Sequence, residues 1–145
     1  MKIGIACDHK GLDMKNIVID YLSKKGIPVE DFGTYSTESA DYPKYAFKTA
    51  KAIVDGEVDL GILICGTGIG MDIAANRVKG VRCARVTCFD DAKMARLHNN
   101  ANCIAFSAKL TRFRVKDIID AYINTDFSHE ERHLRRVKML DEFEN

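Results

Sequence analysis

Apolar residues fall along this chain in two rhythms that take turns. Short apolar and β-branched runs occupy residues 2–7, 29–32, 60–65, 81–86 and 103–106, and each predicts a strand. Between them the spacing becomes helical. Leu12, Ile17, Val18, Tyr21 and Leu22 share one face, and Gly26 closes a helix predicted over residues 12–25. Further helices are expected over residues 45–54, 71–77, 90–97, 113–123 and 130–143, with a polar loop over 33–43. The run at 60–65 is almost wholly apolar, as a strand buried on both faces must be.

Strands alternating with helices predict an α/β fold. The expected form is a single domain over residues 1–145: a doubly wound, Rossmann-like, five-stranded parallel sheet with helices on both faces. A C-terminal helix at about residues 128–143 completes it. Ligands of such sheets gather at the carboxyl ends of the strands. Asp8 and His9 follow the first strand, and the segment from Cys65 to Gly70 follows the third, so the two can meet.

Composition narrows the function classes. The length of 145 residues suits one domain, and an apolar share of 46% can build its core. The net charge is +1, without the basic surplus of a nucleic-acid partner. No segment approaches the ~20 apolar residues that span a bilayer, and the first apolar run meets Asp8 and His9 too soon for a signal peptide. The five cysteines contain no C-x-x-C pair, so neither a disulfide framework nor a zinc site is expected. The chain reads as a soluble cytoplasmic protein with reduced thiols.

The most informative stretch is Ile64-Cys65-Gly66-Thr67-Gly68-Ile69-Gly70-Met71. Its alternate glycines let the backbone turn tightly and bring N–H groups close to an anion. A helix start follows, and such a setting favours a thiolate over a thiol. The plainer reading is a glycine-rich turn beside a core cysteine. Nucleotide fingerprints do not fit. G-x-G-x-x-G would need glycine where Met71 stands, and no Gly-Lys-Ser/Thr follows the loop. Asp8 beside His9 can hold a hydroxyl-rich ligand, or Asp8 can simply cap the first helix. His98 and Asn99 end the fourth helix, where His and Asn are common. His98 precedes the fifth strand and so belongs near the amino edge of the sheet. Cys65 belongs at the carboxyl edge, roughly 17 Å away. If both serve one site, the simplest arrangement has a second chain supply His98. Arg132 and Arg136, four apart on the last helix, can grip a phosphate between two guanidinium forks, or form a solvated face with nearby acids.

Taken together, these residues resemble one family. Cys7-Asp8-His9-Lys10-Gly11, Asp31-Phe32-Gly33-Thr34-Tyr35, Asp41-Tyr42-Pro43, residues 62–70, Ala74-Ala75-Asn76, His98-Asn99-Asn100-Ala101-Asn102, Arg132-His133 and Arg136-Val137 occur in this order. The set is similar to type B ribose-5-phosphate isomerase, in the group that also holds the galactose-6-phosphate and allose-6-phosphate isomerases. The resemblance implies that Cys65 takes the proton next to the substrate carbonyl and that His98 opens the furanose ring. It implies a substrate site lined by Asp8, His9, Gly66, Thr67, Gly68, Ile69, Gly70 and Asn99. Arg132 and Arg136 would hold the phosphate, with His133 close by. It further implies work without metal or organic cofactor, in a homodimer or dimer of dimers with sites between subunits. Lys109 stands where the family usually has arginine, keeping the charge but losing the bidentate fork, and Arg112 is a possible compensation. Asp72 and the Phe89-Asp90-Asp91 segment also depart from the pattern. The reading is a ribose 5-phosphate/ribulose 5-phosphate isomerase, with Thr67 bonded to the thiol or a sugar hydroxyl. The alternatives are a hexose-6-phosphate isomerase such as one for allose 6-phosphate, a non-catalytic sugar-phosphate sensor, and a redox protein built on Cys65.

Overall fold

The computed structural model describes residues 1–144. The elements run β1 (Ile3–Cys7), α1 (Leu12–Lys24), β2 (Val29–Asp31), α2 (Tyr42–Val54), β3 (Leu60–Cys65), α3 (Ile69–Ala75), β4 (Cys83–Arg85), α4 (Phe89–Asn99), β5 (Cys103–Ser107), α5 (Arg112–Asn124) and α6 (Glu131–Glu142). All five strands are parallel, in the order β2-β1-β3-β5-β4. The expected α/β sheet is therefore present, with β5 inserted between β3 and β4.

Alternation along the central strands separates two cores. Ile62 and Ile64 of β3 face one side, with Ile3, Ile5, Ile104 and Phe106. Against them pack Val18 and Leu22 of α1 and Ile118, Ile119 and Tyr122 of α5. Leu63 and Cys65 face the other side, with Ala6 and Ala105. That side is made of small residues, including Ala46 and Ala50 of α2 and Ala74 and Ala75 of α3. Small side chains let α2 and α3 lie close to the sheet. At Gly61 an added Cβ would stand 2.8 Å from Ile53 Cδ1.

Most boundaries differ from expectation by one to three residues, and three of the differences bear on the site. Helix α2 begins at Tyr42, because Pro43 sits in its first turn, where a missing N–H costs nothing. Helix α3 begins at Ile69 because Gly68 adopts a left-handed φ of 78° and turns the chain at once. Strand β4 is an edge strand of only three residues. Its open side is closed by the Asn76 amide, which donates to Cys83 O and accepts from Cys83 N, both at 2.8 Å. No helix among the described residues is long and apolar enough to cross a membrane.

Candidate functional site

The carboxyl ends of β1 and β3 are neighbours, with Cys7 opposite Ile64. Asp8 N–H donates to Ile64 O at 3.1 Å, which joins the loops that follow the two strands. Asp8 is buried, and its Oδ1 accepts from Lys10 N–H at 2.9 Å and Gly11 N–H at 3.2 Å. The carboxylate thus holds the turn that leads to α1 without capping the helix, whose N-cap residue is Gly11 and has no side-chain cap bond. His9 Nδ1 accepts from Ala40 N–H at 3.2 Å. That bond leaves Nε2 as the nitrogen that carries hydrogen in the neutral ring.

Cys65 ends β3 with only 5% of its surface exposed. Its Sγ accepts a hydrogen bond from Gly68 N–H at 3.1 Å. The other fully buried thiols behave differently. Cys7 Sγ donates to Thr34 O, and Cys103 Sγ donates to Ile104 O. Burial pushes the Cys7 thiol up to about 11. A hydrogen bond to Cys103, with burial, raises the Cys83 thiol well above its ordinary value. Among the described residues, Cys65 is the buried cysteine whose sulfur receives an N–H.

The glycine loop shows a common orientation. Cys65 O accepts from Ala108 N–H at 2.8 Å, Gly66 O from Ser107 Oγ at 2.7 Å, and Thr67 O from Arg85 Nε at 2.9 Å. With three successive carbonyls held on one side, the N–H groups of Gly66, Thr67 and Gly68 turn to the other. Those of Gly66 and Thr67 have no acceptor among the described residues. Thr67 Oγ1 accepts from Ile69 N–H at 3.2 Å, so its own hydrogen remains to be given. Gly68 cannot be replaced freely: a Cβ there would lie 2.8 Å from Phe106 Cα. Gly70 lies against the Tyr42 ring, where an added Cβ would stand 2.7 Å from Cζ. Lys10 lies over Gly66, and Lys109 follows β5 with its N–H on Ser107 Oγ.

The second group of expected site residues lies elsewhere. His98 is in the last turn of α4, which leads into the amino end of β5. Its ring centroid is 4.4 Å from that of His133 on α6. His133 is buried, and its Nδ1 is 2.6 Å from Ser128 Oγ. Burial first, then the adjacent His98, lowers the His133 imidazole from its ordinary value, against an upward pull from Glu130. Arg132 pairs with Glu130 at 3.2 Å, and Arg136 makes no ion pair among the described residues. Arg82 secures this corner by donating to Asn99 O and Asn100 O while pairing with Asp141 at 2.6 Å. Since Cys65 is opposite Ser107 and Gly61 opposite Cys103, a strand length separates Cys65 from the His98 corner, about 17 Å.

One chain therefore brings together Cys65, Thr67, Asp8, His9 and the glycines, and separately His98, Asn99, Arg132, His133 and Arg136. Sequence reasoning did not single out Arg82, Arg85, Ser128 or Tyr42. The partners of Arg82, Arg85 and Tyr42 are distant in sequence, those of the Ser128 side chain are local, and only Tyr42, within Asp41-Tyr42-Pro43, carried a signal. A cavity of about 650 Å³ lies between β4 and α6 and is lined by Asn99, Arg82, Asp141 and Phe143 among others, away from Cys65. No cluster of three or more His, Cys, Asp or Glu suited to a metal occurs among the described residues.

Comparison with known proteins gives a consistent picture. The family model described as Ribose/Galactose Isomerase matches residues 3–140. Ribose-5-phosphate isomerase B of Escherichia coli is 40% identical over 99% of this chain and 96% of its own. Galactose-6-phosphate isomerase subunit LacB of Clostridium acetobutylicum is 36% identical over 98% of this chain and 83% of its own. The solved structure of ribose-5-phosphate isomerase B of Clostridium thermocellum superposes with a TM-score of 0.95 at 44% identity, covering 98% of this chain and 96% of that one.

Proposed function

The chain belongs to the Ribose/Galactose Isomerase family and is an aldose–ketose isomerase of sugar phosphates, and within that class we propose that it interconverts ribose 5-phosphate and ribulose 5-phosphate through an enediolate. The observation that carries the mechanism is the Gly68 N–H on Cys65 Sγ, inside a loop whose neighbouring N–H groups face the same way. Cys65 thiolate takes the proton from the carbon next to the carbonyl. The electron pair left behind moves onto the carbonyl oxygen and gives the enediolate. The N–H groups of Gly66 and Thr67 meet that charge, each such donor being worth roughly 10²–10³ in rate. The Thr67 hydroxyl gives its hydrogen to a sugar oxygen. Cys65 then returns the proton to the adjacent carbon, and the proton of the C2 hydroxyl passes to the C1 oxygen, so that the carbonyl moves from C1 to C2.

The acid that opens the ring is His98 of a second copy, because His98 of the same chain lies a strand length away. Arg132 and Arg136 come with it and take the phosphate, with His133 beside them. Asp8, His9 and Asn99 hold the sugar hydroxyls, and Lys109 supplies a further positive charge. Apolar residues left open beside both groups support such a homodimer. Ile69 and Ile73 on α3 are 48% and 60% exposed, and Leu134 and Leu140 on α6 are 47% and 58% exposed. A six-carbon substrate is the second reading, supported by Lys109 in place of a bidentate arginine and by the likeness to the galactose-6-phosphate isomerase subunit.

A substrate panel tests the proposal. Ribose 5-phosphate should turn over with a higher kcat/KM than allose 6-phosphate or galactose 6-phosphate. Preference for a hexose phosphate would move the assignment to the second reading. Binding without turnover of any of them would reject an enzymatic role.

A further inference from the structure

The peptide between Thr67 and Gly68 is held at both ends. Its carbonyl accepts from Arg85 Nε at 2.9 Å, and its N–H donates to Cys65 Sγ at 3.1 Å. A trans peptide is planar, with C=O and N–H pointing in opposite directions. Whatever fixes the carbonyl therefore aims the N–H. The two preceding peptides of the loop are fixed from β5, by Ala108 N–H and Ser107 Oγ, close in space and short in reach. The third depends on a long side chain from the edge strand β4. Arg85 is exposed and contributes nothing to either core. Its strand is secured by the Asn76 amide on Cys83. Asp72 and Asp91 lie close enough for its charge to act on both carboxyls. Asp91 is itself held by Thr87 N–H and Oγ1, each at 2.9 Å. From β4 the Nε of Arg85 reaches the loop.

We propose that Arg85 is a positioning residue for the Cys65 chemistry: by gripping the Thr67 carbonyl, it orients and polarises the Gly68 N–H that supports the ionised sulfur. A cation on the acceptor end of a peptide strengthens the donor end, so the two bonds reinforce each other. The guanidinium acts through the peptide and touches no reacting atom. This inference rests on the reading of Cys65 as the base.

The test compares the parent protein with Arg85→Leu and Arg85→Lys by three readouts: kcat and KM for ribose 5-phosphate, the rate of iodoacetamide alkylation of Cys65 at pH 7 followed by peptide mapping, and thermal melting. Mapping separates Cys65 from the other thiols. Arg85→Leu is expected to lower kcat about tenfold, a fraction of the loss for a direct oxyanion donor, with KM changed less than about twofold. Cys65 alkylation should slow by a similar factor, melting should be unchanged, and Arg85→Lys should fall between the two. Parental kcat with parental alkylation in Arg85→Leu would overturn the proposal. So would a loss of kcat with unchanged alkylation, because Arg85 would then act elsewhere. Unfolding of the variant at assay temperature would contradict a role confined to the loop. If the parent turned over no sugar phosphate, the functional reading would fail, and the alkylation comparison would still decide the link from Arg85 to the sulfur.

Discussion

Among the described residues Lys15 is the single ammonium enclosed by the fold, and replacing it by methionine removes the charge while nearly keeping the volume. The residue is 0% exposed on the inner face of α1. Its Nζ pairs with Asp31 Oδ1 at 2.8 Å and donates to Thr34 O at 2.6 Å, and the Tyr35 ring centroid is 4.7 Å away. Breaking a buried pair by deleting one partner costs about 3–5 kcal/mol. Two features reduce that here. The Asp31 side chain is 29% exposed and keeps a hydrogen bond from Gly33 N–H, so water and the loop compensate part of its loss. Thr34 O keeps only the long contact from Cys7 Sγ at 3.8 Å, and a largely stranded carbonyl costs about 1–3 kcal/mol. The net expectation is a loss of about 2–4 kcal/mol. At about 3 °C per kcal/mol for a chain of this size, melting should drop by about 6–12 °C. The assay is thermal unfolding followed by circular dichroism at pH 7, with protein concentration matched. Adding Asp31→Asn should recover part of the loss, since the carboxylate left unpaired is then removed. Lys15→Met melting within about 1 °C of the parent, or above it, would refute the reasoning, because a buried ion pair dominated by its desolvation cost behaves that way.

Gly68→Ala should cost at least about 1–2 kcal/mol through its left-handed φ alone, and more through the 2.8 Å approach to Phe106. Loss of the Gly68 contact to Cys65 should lower kcat in parallel, and a variant with parental kcat would show that the loop geometry is not required. Asp72→Ser should raise the melting temperature at pH 7. Burial raises the Asp72 carboxyl above 3.8, so its ionised form opposes folding above that raised value, and the penalty fades as pH falls through it towards 3.8. Melts at pH 7 and pH 4 check this, and an advantage that grew at the lower pH would contradict the sign. His98→Ala and Cys65→Ala should each be inactive alone yet regain about a quarter of parental activity when unfolded and refolded together in equal amounts, because half the dimers then carry one intact composite site. No recovery on mixing would place His98 and Cys65 in the same chain's site or outside it.

Much of this arrangement was legible in the sequence. Strands β1, β3 and β5 were recognisable because both faces are covered, so their runs are apolar throughout. The placement of His98 away from Cys65 followed from chain direction in a parallel sheet. Strand order was not legible, since buried parallel strands of similar composition can exchange places without changing the pattern. The start of α2 was hidden because Asp41-Tyr42-Pro43 reads as loop chemistry until Pro43 is seen in a first turn. Lys15 interrupts a helical stripe and reads as a solvent residue. Its partners Asp31 and Thr34 arrive only when β2 pairs with β1. Arg85 was silent for the same reason, because its acceptor lies 18 residues back in the chain.

The role of the Cys65 sulfur is open to a direct measurement. Ribose 5-phosphate labelled with deuterium at C2 would be incubated with the parent protein and with Cys65→Ala, and release of label to water followed by nuclear magnetic resonance. The parent should wash the label out during conversion, because the thiol formed on proton abstraction exchanges with solvent, and Cys65→Ala should release none above the protein-free rate while still melting as a folded protein. Label released by Cys65→Ala at close to the parental rate would assign the base to another group.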